Sequence, residues 1–291
     1  LAVPLARALA EGGLPAAEVT FRTAAAEDAI RAIVQEVPEM LVGAGTVITT
    51  EQADRAMAAG ATFIVAPGYD PKVTQHVLDK GGIMMPGTAS AGEMQQAMNQ
   101  GCQVIKYFPA EANGGVAMLK NIGAALKGAK WMCTGGVSAK NVNDYLGYSQ
   151  IAAVGGTWMC KKELIEGEKW DEITAMCKEA VKTMLGFSLA HVGLNCENEA
   201  EAEQSAKTLC ALFGFEYKPG NSSIFAGSAV ECMKSPYLGK NGHIAIATNS
   251  LDRAVYHLGR QGVEFDESTR KPKAIYLKQE VGGFAIHLVQ R

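Results

Sequence analysis

Lys106 lies in the run Val104-Ile105-Lys106-Tyr107-Phe108-Pro109, where its neighbours are apolar and a charged ammonium is costly to bury. Such a setting favours the neutral amine, which is the nucleophile that condenses with a ketone to form an imine. The same run also suits a lysine on an edge strand whose stem covers apolar surface while its head reaches water. A second chemical pair sits in Glu18-Val19-Thr20-Phe21-Arg22-Thr23. There a carboxylate able to carry protons is followed four residues later by a guanidinium able to grip a carboxylate with two hydrogen bonds. A Glu and an Arg at this spacing also commonly form a surface ion pair of little consequence. Two glycine-rich turns, Thr134-Gly135-Gly136 and Gly155-Gly156-Thr157, would bare backbone N–H groups to an anion such as phosphate.

Elements that alternate in character must hold these groups together. From Ala6 to Leu185 short apolar runs take turns with Ala-rich amphipathic stretches, the pattern of βα units around a parallel sheet. Strands are predicted at Ala16 to Val19, Leu41 to Ala44, Phe63 to Ala66, Ile83 to Met85, Gln103 to Tyr107, Trp131 to Thr134 and Ile151 to Val154. Nearly all of them run into a Gly or Pro loop (GAGT, APG, MPGT, FPAE, TGG, GGTW), and loops after the strands are where a (β/α) barrel keeps its chemistry. The fold class expected is therefore α/β, a TIM (β/α)8 barrel. Because the chain opens on a helix, the strand expected to be absent is the first.

The helix Trp170 to Leu185 meets Gly186, a natural C-terminal cap, and the pattern changes there. Residues 1–186 are read as the barrel and 187–291 as a second, α+β domain of paired βαβββ modules. AHVGL begins at Ala190 and GHIAI at Gly242, 52 residues apart, and VECMK and IHLVQ, at Val230 and Ile286, are offset by 56. A near-constant offset is the signature of an internal repeat.

Bulk composition narrows the partners. A net charge of -3 supplies neither a basic stripe for nucleic acid nor a polybasic membrane patch, so small molecules are expected. The seven cysteines form no CxxC pair, which argues against a disulfide framework or thiolate metal site and for a reducing cytoplasm. No apolar run reaches the length of a membrane helix.

In this order and spacing, EVTFRT, GAGT, APG, MPG, IKYFPAEANGG, TGG and GGTW closely resemble the 2-keto-3-deoxy-6-phosphogluconate aldolases, also called 4-hydroxy-2-oxoglutarate aldolases. The resemblance runs from about Leu5 to Leu185, and IKYFPAEANGG is the most specific string. It implies that Lys106 is the Schiff-base lysine, Glu18 the general acid/base, Arg22 the carboxylate-binding arginine and Thr46 the threonine beside the substrate, with Pro67 and Phe108 lining the pocket. The phosphate site would comprise the turn of Thr134, Gly135 and Gly136, with Gly155, Gly156 and the hydroxyl of Thr157, where the family often has serine. It further implies a phosphorylated keto sugar acid as substrate, pyruvate as product, no cofactor for the aldolase and a homotrimer.

In the second domain His191, His243 and His287 fall on strand candidates and Glu231 on a fourth. Each half contributes two of them, so related strands could aim all four at one point, and such N/O donors suit Zn, Ni, Co, Mn or Fe(II). Each could equally face outward from a half-exposed strand. AHVGLN, VECMK, GHIAIAT and GGFAIHLVQ resemble the vicinal oxygen chelate superfamily, which includes glyoxalase I and metal-free binding proteins, and whose four metal positions map onto these residues. His287 stands where that superfamily normally has glutamate. Two readings follow: a second, metal-dependent enzyme, or a non-catalytic module that binds a ligand or organises an oligomer.

Overall fold

The short apolar runs become strands in the computed structural model, which describes all 291 residues. They are β1 (Ala16–Thr20), β2 (Leu41–Gly45), β3 (Phe63–Val65), β4 (Met84–Met85), β5 (Gly87–Thr88), β6 (Ile105–Tyr107), β7 (Trp131–Cys133) and β8 (Ile151–Val154). Two four-stranded sheets result, ordered β1-β2-β3-β4 and β5-β6-β7-β8, and every pairing in them is parallel. The run read as ending at Met85 continues past Pro86 as β5. Proline lacks the N–H a ladder needs, so the chain changes partner there: β4 pairs with β3, whereas β5 pairs with β6.

Three consecutive helices between the strands start at side-chain caps, at Thr49, Asp70 and Ser90. Asp70 accepts from the N–H groups of Lys72 and Val73 ahead of Pro71–Asp79, and Ser90 with Glu93 forms a capping box for Ala91–Asn99, so orphan N–H groups at each start are satisfied. Alternation along a strand then decides where the chemistry faces. Ile105 and Tyr107 are fully buried in the hydrophobic core, and residues flanking one position point the opposite way, so Lys106 turns to the other face. In β1, Ala17 and Val19 pack against that core, which leaves Glu18 on the other side. No helix is long and apolar enough to cross a membrane.

The chain divides into compact units Leu1–Met184 and Leu185–Arg291. Leu185, the last residue of the helix Trp170–Leu185, goes with the second unit. Its carbonyl accepts hydrogen bonds from Asn249 N–H and the Thr248 hydroxyl, both at 2.9 Å.

The second unit contains β9 (Ser188–Asn195), β10 (Tyr217–Pro219), β11 (Ser223–Ala226), β12 (Val230–Met233), β13 (Gly242–Thr248), β14 (Phe265–Lys271), β15 (Ala274–Val281) and β16 (Phe284–Gln290), with helices Glu199–Phe213 and Leu251–Gly259. Its mixed sheet runs β10-β11-β12-β9-β13-β16-β15-β14. The two halves have the same topology: β9 and β13 pair antiparallel at the centre, and each is flanked by the last strand of its own half in parallel. A strand, a helix and three more strands occur twice, an α+β arrangement.

Candidate active site

Lys106 is only 7% exposed, so it does not snorkel to solvent. Its Nζ lies 3.6 Å from Glu18 Oε1 and 5.1 Å from the centre of the Phe108 ring. Glu18 belongs to one parallel sheet and Lys106 to the other, so the pair links one face of each. The carboxylate of Glu18 therefore turns to the lysine, while Arg22 is exposed in the turn after β1.

Gly45 sets the position of Glu18. It pairs with Thr20 across β1 and β2, and a Cβ at this glycine would lie 1.9 Å from Glu18 Oε1. The missing side chain is the space the carboxylate occupies. In the sequence Gly45 reads only as part of the GAGT loop that closes the run, and nothing there signals the close approach of another group. The next residue, Thr46, has φ 58°, a conformation a β-branched residue adopts only at a cost of about 1–3 kcal/mol. Hydrogen bonds on either side hold it there, from Phe21 N–H to Gly45 O and from Val47 N–H to Val65 O.

The glycine turns follow β7, which pairs with β6, and β8, which lies beyond β7 in the same sheet. Gly135 and Gly136 have φ of 91° and 89°, values open to glycine and strained for other residues. The buried Thr134 hydroxyl has no hydrogen-bond partner, and its methyl sits 2.7 Å from where a Cβ on Gly155 would be. Thr157 is exposed beyond Gly156. Pro67 and Phe108 are half-buried, in the loops after β3 and β6. Lys106 thus has Glu18 and the Phe108 ring as near neighbours. The turns lie at the same strand ends, and Arg22 and Thr46 stand at the ends of β1 and β2. Such a set can form an imine, move a proton and hold anions.

In the second unit, His191 Nε2, His243 Nε2 and Glu231 Oε2 are each 3.1 Å from the other two. All are largely buried. His191, His243 and His287 offer ring nitrogens within 4.8 Å of one another. The register explains the convergence: His191 pairs with Ala245 and His243 with Gly193, while Glu231 pairs with Gly193 and His287 with Ala245. The four side chains therefore share one face under an approximate twofold relation. Gly193 is again a space kept open, since a Cβ there would sit 2.1 Å from the His243 ring.

Burial alone would raise the Glu231 carboxyl, but hydrogen bonds from His191, His243 and Ser223 outweigh it and hold the group below the ordinary carboxylate range. His287 is pushed down to about 3, by burial first and then by the charges of His243 and His191. Neither of its ring nitrogens has a hydrogen-bond partner, nor does His243 Nδ1. Tyr276, which no sequence pattern marked, stacks on His287 at 4.5 Å and 11°. The other two histidines stand apart: His76 pairs with Asp54 at 2.7 Å, and His257 is 8% exposed in the helix Leu251–Gly259.

Comparison with known proteins bears on the first unit. Residues 1–176 match the family described as KDPG and KHG aldolase. The chain is 43% identical over 181 residues to the 2-dehydro-3-deoxy-phosphogluconate aldolase of Treponema pallidum, which covers 62% of this chain and 86% of that protein. With the KHG/KDPG aldolase of Escherichia coli K12 the identity is 40%, covering 62% and 85%. Among solved structures, KDPG aldolase from Legionella pneumophila, with pyruvate captured as a covalent carbinolamine, superposes with a TM-score of 0.60 at 38% identity over 62% of this chain and 87% of the other. The Zymomonas mobilis enzyme with 3-phosphoglycerate gives 0.58 at 37% identity, covering 62% and 84%.

Proposed function

Because the chain belongs to the KDPG and KHG aldolase family through residues 1–176, we propose that its first unit cleaves a phosphorylated 2-keto-3-deoxy sugar acid through a Schiff base on Lys106. One observation carries this reading: a buried lysine amine 3.6 Å from a carboxylate. Lys106 Nζ attacks the C2 ketone, and loss of water leaves a protonated imine that withdraws electrons from C3. Glu18 takes the C4 hydroxyl proton, the C3–C4 bond breaks, and an aldehyde departs while the enamine of pyruvate stays on the lysine. Glu18 then returns a proton to C3, and hydrolysis frees pyruvate.

Arg22 is assigned to the substrate carboxylate and Thr46, Pro67 and Phe108 to the pocket wall. Thr134, Gly135, Gly136, Gly155, Gly156 and Thr157 are assigned to the phosphate. The two parallel sheets are read as one barrel wall, which fits the meeting of Lys106 and Glu18 across them. Pyruvate release should proceed with the highest kcat/KM for the phosphorylated acid, by about tenfold or more over 4-hydroxy-2-oxoglutarate, as a charged subsite implies. Assay of both C4 epimers and the unphosphorylated acid checks this, and equal rates on all of them would refute the phosphate assignment.

For the second unit we propose a divalent-metal site formed by His191, His243, Glu231 and His287 in a glyoxalase-like module. Donors around 2.0–2.2 Å from a common ion lie about 3.0–3.5 Å apart, which the 3.1 Å triangle matches. With no ion, two Nε2–H groups donating to Glu231 Oε2 would be driven against each other, and His287 would keep two bare nitrogens. A bound ion would supply Lewis acidity to oxygen ligands. The protein's own part is to orient it: Glu231 is held by Ser223 at 2.5 Å, and the His287 ring is fixed by its stack on Tyr276.

The full chain should bind one equivalent of a divalent ion, and His191→Ala and His243→Ala should abolish binding while aldolase turnover persists. Gly193→Ala should weaken affinity by about tenfold to a hundredfold, because only the far end of the His243 side chain must move aside. Metal analysis of the purified variants decides it. A metal-free wild type after incubation with Zn, Ni, Co, Mn and Fe(II) would favour the non-catalytic module instead.

A further inference from the structure

The loop after Lys106 is laced to the diglycine turn. Ala110 N–H donates to Thr134 O at 2.8 Å and Glu111 N–H to Gly135 O at 3.0 Å. The Glu111 side chain then folds across Gly136, where a Cβ would come within 2.5 Å of Glu111 Cγ. Its carboxylate accepts a short hydrogen bond from the Tyr145 hydroxyl. Tyr145 is 1% exposed and belongs to the helix Val142–Leu146, between the turn and β8. Burial, and after it the bond to Glu111, push the phenol up, so it remains an O–H donor. Gly115, at φ 62°, makes the room, since a Cβ there would lie 3.1 Å from Glu111 Oε1.

Two consecutive glycines have more backbone freedom than any other pair and lose more of it on ordering. A turn built from them presents its N–H groups in one array only if something outside it selects the conformation. Glu111 holds the turn by its backbone at Gly135 and by its side chain at Gly136, and Tyr145 anchors Glu111 from the core. An unrestrained carboxylate here would also repel an anion in the turn, and the Tyr145 bond restrains it.

We infer that Glu111 and Tyr145 are positioning residues that fix the Gly135–Gly136 turn and so set the preference for phosphorylated over unphosphorylated substrates. This rests on the reading that the turn cradles the substrate phosphate. Neither residue takes part in the chemistry at Lys106.

Steady-state kinetics on the full chain test it. Tyr145→Phe keeps the ring and removes the donor: KM for the phosphorylated acid should rise about tenfold, with kcat within about twofold. Kinetics on 4-hydroxy-2-oxoglutarate and borohydride trapping of pyruvate should not change. Glu111→Gln retains an acceptor and should stay near wild type. Glu111→Ala, acting from the exposed side, should reproduce the Tyr145→Phe split, and keeps the test decisive if Tyr145→Phe folds poorly. Equal losses on both substrates, or a preference for phosphate that survives both Tyr145→Phe and Glu111→Ala, would overturn the inference. If the wild type itself shows no such preference and inorganic phosphate does not compete, the cradle reading has failed and the clamp falls with it.

Discussion

Lys106→Ala is expected to lower kcat/KM by about ten-thousand-fold or more, over ~5 kcal/mol of barrier, with the fold intact. The size follows from the role: no neighbouring group can replace an amine that becomes covalently bonded to the substrate. Stability should hold because removing this side chain takes a polar head, not an apolar one, out of a buried position, and β6 keeps both its core residues, Ile105 and Tyr107. Borohydride reduction in the presence of pyruvate should attach the three-carbon unit to Lys106 in the wild type and to nothing in the variant. Peptide mapping reads this directly, and a label on any other lysine would sink the assignment. Lys106→Arg should be equally inactive, since a guanidinium stays protonated and forms no imine.

Glu18→Gln should cost about a hundredfold to ten-thousand-fold in kcat, the range for loss of a general acid/base, while trapping of pyruvate on Lys106 persists. Gly45→Ala should lower kcat by about a hundredfold although neither Glu18 nor Lys106 is substituted, as displacement of a reacting group by about an ångström can do. The added methyl meets the Glu18 carboxylate at 1.9 Å. Gly45 has no positive φ, so alanine brings no backbone strain there, and what must move is the Glu18 side chain from Cγ outward. Melting temperature should therefore change little while turnover falls. A Gly45→Ala enzyme with wild-type kcat would mean that Gly45 does not set the working position of Glu18.

Much of the first unit was legible because short parallel strands announce themselves as apolar runs closed by glycine or proline, and because a charged residue inside such a run is conspicuous. Lys106 stood out for that reason, and the strand positions were recovered to within a few residues. The exception was the run around Pro86, where a change of pairing partner leaves no periodic trace. In the second unit the matched offsets of AHVGL and GHIAI carried the repeat, and with it the alignment of His191 with His243.

Sequence alone determined which residue types were present and which strands carried them. It did not determine that Glu18 faces Lys106 rather than Arg22, four residues away. It did not reveal that Gly45 and Gly193 are spaces reserved for a carboxylate and an imidazole, or that Glu111 reaches Tyr145 34 residues further on. Those facts are contacts between strands and loops distant in the chain. Local periodicity records only what a residue's near neighbours require of it, whereas these pairings arise when separate elements close on one another and only one side-chain arrangement fills the space between them.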